Sequence, residues 1–284
     1  MSDRLAVRTP ASSANLGAGF DVFAMALDLF ADVGEGPAPD GAQQVDEHHP
    51  ARTAFERLGG TGPVWLRTNI PMGRGLGFSG AVRVGAASLA ALQSGRSIAD
   101  AAREILSLAT ELEGHGDNVA ASLHGGVVAF VEDRSVPFVL GPTMGASAFV
   151  AWVPDVTTST DRSRQTLDAL VSRDHAVHNI GRAVQFALAF AHDDPGLLTD
   201  ATNDRLHQDA RVPHVPNAGE ALAAGVHAGA WCSWLSGSGP TVGFLAPASI
   251  AAEVAAALPP GGHAKVLRID TLGARSIDPG SGLA

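Results

Sequence analysis

The chain has 284 residues, a formal net charge of −10 and a single cysteine, Cys232. The acidic balance speaks against nucleic acid as a partner, because a nucleic-acid binder needs basic surface to neutralise phosphates. One cysteine excludes a disulfide framework and a thiolate metal cluster, which predicts a reducing cytoplasm, and no apolar run reaches the roughly 18 residues that would cross a membrane.

The opening Met1-Ser2-Asp3-Arg4 lacks the basic-then-apolar pattern of a signal peptide. Residues 5–9 alternate apolar and polar, as a strand does. Residues 12–19 read as a turn-rich loop, 20–29 as a strand or a short helix, and 34–44, with Gly, Pro and Asp, as a surface loop. A helix is expected over 51–58 and a strand over 64–70. Helices follow over 81–92, over 98–112 with Asp100 and Glu104 in the first turns, and over 118–123, closed by Gly125-Gly126. Strands over 127–132 and 147–153 come next, and Pro154 marks the expected divide between two domains, 1–153 and 154–284. The second half predicts helices over 161–170, 175–191 and 218–228, then strands over 231–235 and 241–245 around a Ser-Gly-rich turn. A helix over 248–258, a strand over 264–270 and a loose tail after Ile277 complete it. Helices and strands without regular βα alternation predict an α+β fold.

The stretch with the most pointed chemistry follows the strand at 64–70 and a Pro71-Met72-Gly73 turn. It reads Arg74-Gly75-Leu76-Gly77-Phe78-Ser79-Gly80-Ala81 and leads straight into an alanine-rich helix. Glycines let backbone approach a ligand closely, and the free N–H groups of a helix start favour an anion. That is a phosphate cradle, although Gly-rich turns before helices are also common as plain structure. Lys265 is the only lysine. A Walker loop and a protein-kinase strand lysine are therefore excluded. Any ATP must be held by backbone N–H groups, arginine and metal.

Two further blocks stand at a distance: Pro10-Ala11-Ser12-Ser13-Ala14-Asn15-Leu16-Gly17-Ala18-Gly19-Phe20-Asp21 and Leu235-Ser236-Gly237-Ser238-Gly239-Pro240-Thr241. With the glycine loop, in this order, they resemble the three signature motifs of the GHMP small-molecule kinases. Glu113-Gly114-His115-Gly116-Asp117-Asn118 is similar to the signature of one branch, the homoserine kinases. The resemblance runs from about residue 6 to about residue 245.

The resemblance implies a two-domain GHMP kinase fold, with an N-terminal nucleotide-binding domain like the second domain of ribosomal protein S5 and a ferredoxin-like C-terminal domain. It implies ATP and Mg²⁺, an amino-acid substrate carrying a hydroxyl, and a homodimer as in many members. Pro71, Gly73, Arg74, Gly75, Leu76, Gly77, Phe78, Ser79, Gly80 and Ala81 would hold the nucleotide, and Ser79 with Glu113 the metal. Glu111 is a neighbouring alternative to Glu113, and a solvated acid at a helix end is the plainer reading of either.

Asn15, Asp21, His115, Asn118, Thr160, Arg164 and Arg211 would hold the substrate, and Asp117, Asn118 and Arg164 would carry the catalysis. A carboxylate such as Asp21 suits an ammonium group, and two guanidinium groups give directional recognition of an α-carboxylate. The amide of Asn118 cannot take a proton, so catalysis would rest on orientation and charge stabilisation. Plainer readings stand beside these: an N-cap for Asp117, an Asx-type turn for Asn15 and Asp21, a surface arginine for Arg164 or Arg211, and a structural hairpin for the Ser-Gly turn.

The chain also departs from the family. Phe78 stands in place of the first of two serines, Gly80 in place of an alanine, and His48-His49-Pro50 in place of an Asn-Leu pair on the adenine side. A large side chain beside the phosphates would narrow the site. The alternatives are therefore a weak or inactive homologue that binds an amino acid, and a kinase for another hydroxyl acceptor such as L-threonine.

Overall fold

The computed structural model describes residues 4–157 and 160–283, with Thr160, Asp161 and Arg162 described in their backbone only. Two long antiparallel strands, β1 (Ala6–Ala14) and β2 (Phe23–Glu35), open the chain. Their register shifts between Pro10 and Ala11, where proline has no N–H to give the ladder. The run 12–14, expected as loop, is therefore strand: its small side chains are fully buried on the far side of this irregularity.

A short β3 (Gln43–Gln44) lies within the expected loop at 34–44. It is followed by α1 (Pro50–Arg57), β4 (Val64–Thr68), α2 (Phe78–Gln93), α3 (Ile98–Glu113), α4 (Asp117–His124), β5 (Val127–Val131) and β6 (Arg134–Pro137). The strands form one sheet in the order β11-β1-β2-β4-β3, with β5 beside β2 and β6 beside β5; β11 (Arg275–Ile277) arrives from the end of the chain. Helix α2 is buried on nearly every side, which its Ala, Gly and Val side chains permit, because they let the sheet and α1, α3 and α4 close around it. Helix α3 begins where the Ser97 hydroxyl accepts from Asp100 N–H at 3.1 Å and ends at Gly114, whose φ is +82°. That stop places Glu113 at the last helical position.

A one-turn α5 (Pro142–Gly145) leads into the second layer: β7 (Ser147–Pro154), α6 (Thr160–Gln165), α7 (Arg173–His192), α8 (Gln208–Arg211), α9 (Ala218–His227), β8 (Cys232–Leu235), β9 (Val242–Pro247), α10 (Ala251–Ala256) and β10 (Gly262–Leu267). Its strands are antiparallel and ordered β10-β7-β9-β8. In chain order that is 4-1-3-2, the ferredoxin-like arrangement. The sheet is apolar on both faces, and the strand period of two sorts its residues. Ala148, Val150 and Trp152 pack with α9 and α10, whereas Phe149, Ala151 and Val153 join the core shared with the first sheet. Phe186 and Phe190 of α7 close that shared core against Phe23 and Phe138.

The expected divide at residue 154 falls at the end of β7, a strand of the second sheet, and β11 pairs with β1 in the first. The tail expected to be loose is tied. Arg8 and Arg67 both pair with the buried carboxylate of Asp32, and their remaining N–H groups donate to the carbonyls of Gly282 and Ser281. Helix α6 ends at Gln165, short of the expected 170. No helix among the described residues is long and apolar enough to cross a membrane.

Candidate active site

A cavity of about 350 Å3 opens between the two sheets, and the glycine loop forms one wall. Gly75 and Gly77 have φ of +73° and +69°, conformations that a side chain resists. A Cβ on Gly75 would stand 2.4 Å from Ser236 O and one on Gly77 2.0 Å from Ser12 Oγ. Gly77 caps α2 with no side-chain acceptor, so the first-turn N–H groups at Phe78, Ser79 and Gly80 are left for an anion, and the helix dipole favours one. The Ala81 N–H is already bonded to Gly77 O at 3.0 Å. Phe78 meets His49 edge-on, with ring centroids 6.4 Å apart, and the ring stands in the side wall with Pro50 and Met72. The cavity lies open beside it.

Three distant segments lock this wall in place. Trp234 Nε1–H donates to Ser13 Oγ at 2.9 Å, Ser13 and Ser236 share a hydroxyl bond of 2.8 Å, and Ser236 Oγ donates to Gly75 O at 2.6 Å. With Ser236 donating to the loop, Ser13 is the donor in the middle bond. Ser12 N–H donates to Leu76 O and Gly237 N–H to Ala14 O. The loop is thus held by backbone and hydroxyl groups buried beneath it, not by its own side chains.

At the next corner the last residue of α3 faces the first turn of α2. Ser79 Oγ donates to Glu113 Oε2 at 2.9 Å, and Arg83, one turn along α2, bonds to the Ser79 hydroxyl and forms an ion pair with Glu113. Ser79 and Glu113 both line the cavity. A hydroxyl and a carboxylate are hard oxygen donors of the kind Mg²⁺ takes alongside phosphate oxygens, so the residues fit that ion. Asp117 is buried, pairs with His115 Nδ1 at 2.7 Å, and accepts from the Asn118 N–H at 2.8 Å. Asn118 Oδ1 accepts from Ser12 Oγ at 2.7 Å, which commits the amide oxygen and leaves the amide a donor.

The opposite wall is built from charges. Arg164 makes a bidentate pair with Asp21, at 2.7 and 3.0 Å. The Asp21 N–H donates to Asn15 Oδ1 at 3.1 Å, and Asn15 Nδ2 donates to Gly237 O at 2.8 Å. Arg164 and Arg211 both approach the ring of Phe20, at 5.9 and 5.4 Å from its centroid, and His207 stacks on that ring at 5.1 Å. Burial, then repulsion from Arg164, lowers the Arg211 guanidinium to about 10, so it keeps its charge at neutral pH. His207 is buried and its pKa is pushed down by that burial. In the neutral ring Nε2–H donates to Gly17 O at 3.0 Å while Nδ1 faces Arg211 Nη1 at 3.3 Å. Asp204 takes the N–H groups of His207 and Gln208 and so fixes the start of α8, which delivers Arg211. Two cations and a carboxylate at one end of the cavity form a complement to a zwitterion.

The model of the GHMP kinases N terminal domain matches residues 48–126, and that of the GHMP kinases C terminal matches residues 186–262. Homoserine kinase of Moorella thermoacetica is 39% identical over 257 residues, which cover 83% of this chain and 85% of that protein. Homoserine kinase of Desulfitobacterium hafniense is 37% identical over 271 residues, covering 89% and 90%. The chain belongs to the GHMP kinases, in their homoserine kinase family. The crystal structure of homoserine kinase from Cytophaga hutchinsonii shares the fold, with a TM-score of 0.83 at 23% identity over 98% of both chains.

For a GHMP kinase, the site is gathered from every part of the chain. Asn15, Asp21, Pro71, Gly73, Gly75, Leu76, Gly77, Phe78, Ser79, Glu113, His115, Asp117, Asn118, Arg164 and Arg211 all line the one cavity. Gly80 and Ala81 do not; they lie behind the wall, Gly80 against Asn118 and Ala81 fully buried. Arg74 lines the cavity but its guanidinium bonds to Pro154 O, across to the second sheet. The Thr160 side chain lies outside the described residues. Glu111 pairs with Arg57 on the surface at 2.9 Å, away from the cavity. Arg83, Phe20 and His207 were not among the expected site residues. The spacing of four between Ser79 and Arg83 puts both on one helix face, and His207 stands in the His-Gln-x-x-Arg segment that carries Arg211. Phe20 left no such signal.

Proposed function

We propose that this chain transfers the γ-phosphoryl group of ATP to the side-chain hydroxyl of L-homoserine, yielding O-phospho-L-homoserine and ADP. A single observation carries the reading. The uncapped start of α2 and the Asp21–Arg164–Arg211 cluster occupy two ends of one cavity. The relatives named homoserine kinase supply the identity of the acceptor.

In this reading the triphosphate lies on the backbone N–H groups of residues 78–80, while Arg164 and Arg211 take the amino acid's α-carboxylate and Asp21 its ammonium group. Ser79 and Glu113 would hold Mg²⁺, which supplies positive charge to the phosphate oxygens. The acceptor oxygen forms a bond to the γ-phosphorus as the bond from that phosphorus to the bridging oxygen breaks, and ADP leaves with the bonding pair. The transition state is loose, so the hydroxyl proton need not be removed early. Asn118 donates from its amide, and Asp117 stays anchored by His115; the rate comes from alignment and fixed charge. The lone buried thiol of Cys232 suits a reducing cytoplasm.

A coupled ADP-release assay with Mg²⁺-ATP against L-homoserine, L-threonine, L-serine and mevalonate tests this. Turnover that favours homoserine supports it. Turnover confined to another acceptor would reassign the substrate, and none at all from folded protein would leave a binding protein in its place.

A further inference from the structure

Helix α7 is apolar on two opposite faces. Asn179, Phe186, Ala189 and Phe190 face the core. On the other side Val177, Ile180, Val184 and Leu188 are 63%, 63%, 53% and 44% exposed. Their spacing of three, four and four residues keeps them in one stripe along the helix. A helix with apolar residues on both faces is normally covered on both. The flanks of this helix are already occupied: His178 bonds to Asn203 O, and Arg182 bonds to Gln185 and pairs with Asp200. The stripe alone lacks a neighbour among the described residues. Leu170 and Val171, 89% and 54% exposed, continue it past the start of the helix. The other exposed large apolar side chains are spread over separate elements, as on ordinary surfaces.

We infer that the chain forms a two-fold homodimer in which the exposed stripe of α7 packs antiparallel against the same stripe of a second copy. A two-fold axis makes a patch meet itself, so the patch must be complementary to itself when reversed. This one is. With the axis near residue 182, Val177 falls opposite Leu188 of the second copy, and Gly181 opposite Val184. A Cβ at Gly181 would meet nothing within 4 Å, so the helix surface is shallow there and a bulky apolar side chain can enter. The same reversal brings exposed Arg173, at the start of α7, to the acidic end of the other helix, where Asp194 is exposed. Cation meets anion at both ends of the pairing, which a partner of unrelated sequence would not reproduce. Arg182 points away from the seam, towards Asp200, so like charges do not meet at the axis. The cavity opens elsewhere, and none of the stripe residues lines it.

Sedimentation velocity on the full chain at micromolar concentration tests this independently of any substrate. The wild type is expected as a dimer. V184E is expected to raise the dimer dissociation constant at least about 100-fold, which is what burying an unpaired carboxylate in an apolar seam does. It should keep the wild-type circular dichroism and ADP affinity, since Val184 touches neither core nor cavity. R173E should weaken the dimer, and R173E with D194R should recover it. A monomeric wild type, a V184E variant that stays dimeric, or a charge swap with no recovery would each overturn the assignment.

Discussion

The two walls of the cavity are made in opposite ways. The nucleotide wall is backbone: left-handed glycines, an uncapped helix start, and buried hydroxyls beneath it. The acceptor wall is side chain: Asp21, Arg164 and Arg211, set by Phe20, His207 and Asp204. The difference explains what each wall tolerates. Where N–H groups do the holding, a side chain at the same position can change if it leaves the backbone in place, and Phe78 does so by turning against His49. Where guanidinium groups do the holding, no replacement reproduces their geometry.

The largest effect should come from a single methyl on the backbone wall. Gly75→Ala places a Cβ 2.4 Å from Ser236 O and 2.7 Å from Gly239 O, both main-chain atoms, at a φ of +73°. Nothing there can swing aside, so the loop must separate from the Ser-Gly turn. Calorimetric titration should show ADP affinity down by more than about 100-fold, with the affinity for the amino acid much less affected. Retained ADP binding would mean that the loop is not the phosphate wall. On the other side, Arg211→Ala removes a buried cation that faces the acceptor. The KM for the amino acid should rise by roughly 100-fold, the worth of a charge-assisted hydrogen-bond pair, with the KM for ATP nearly unchanged. A larger change for ATP than for the amino acid would reverse the assignment of the walls.

The sequence exposed these walls unequally. The nucleotide wall is contiguous, residues 71–79, so its chemistry lies in one stretch and can be read before folding. The ends of α3 were legible for the same local reason, Ser97 at one and Gly114 at the other. The acceptor wall is assembled from residues 15–21, 164 and 204–211, and only the family resemblance connected them. Phe20, which both arginines approach, had no local pattern to mark it. Four-residue α8 is too short for a period to show, and β11 is three residues that become a strand only beside β1. The run 12–14 misled because small, polar residues that suggest a loop are also what a tightly packed strand beneath a ligand loop requires.

Arg83 stands at the seam, a side chain within the backbone wall, and it gives the finest test of the comparison. Its guanidinium pairs with Glu113 and bonds to Ser79, the two residues that would hold Mg²⁺, and both members of the ion pair are largely shielded from water. In the metal-free protein Arg83 neutralises a carboxylate that would otherwise be desolvated without a partner. In the metal-bound protein the same positive charge works against the ion. Arg83→Met, which keeps the length of the side chain, should therefore act in opposite directions in the two states. Without metal it should cost about 1–2 kcal/mol, because it leaves Glu113 unpaired, read as a lower Tm in EDTA. With ADP present, the Mg²⁺ concentration that half-restores stability should fall by about 5–10-fold, since a like charge has been removed from beside the site. A merely structural arginine predicts the first effect without the second: a lower Tm that magnesium does not recover. Arg83→Lys restores the charge and should return the magnesium midpoint towards that of the wild type. If it does not, the geometry of the guanidinium rather than its charge sets the occupancy of this corner, and the nucleotide wall depends on a side chain after all.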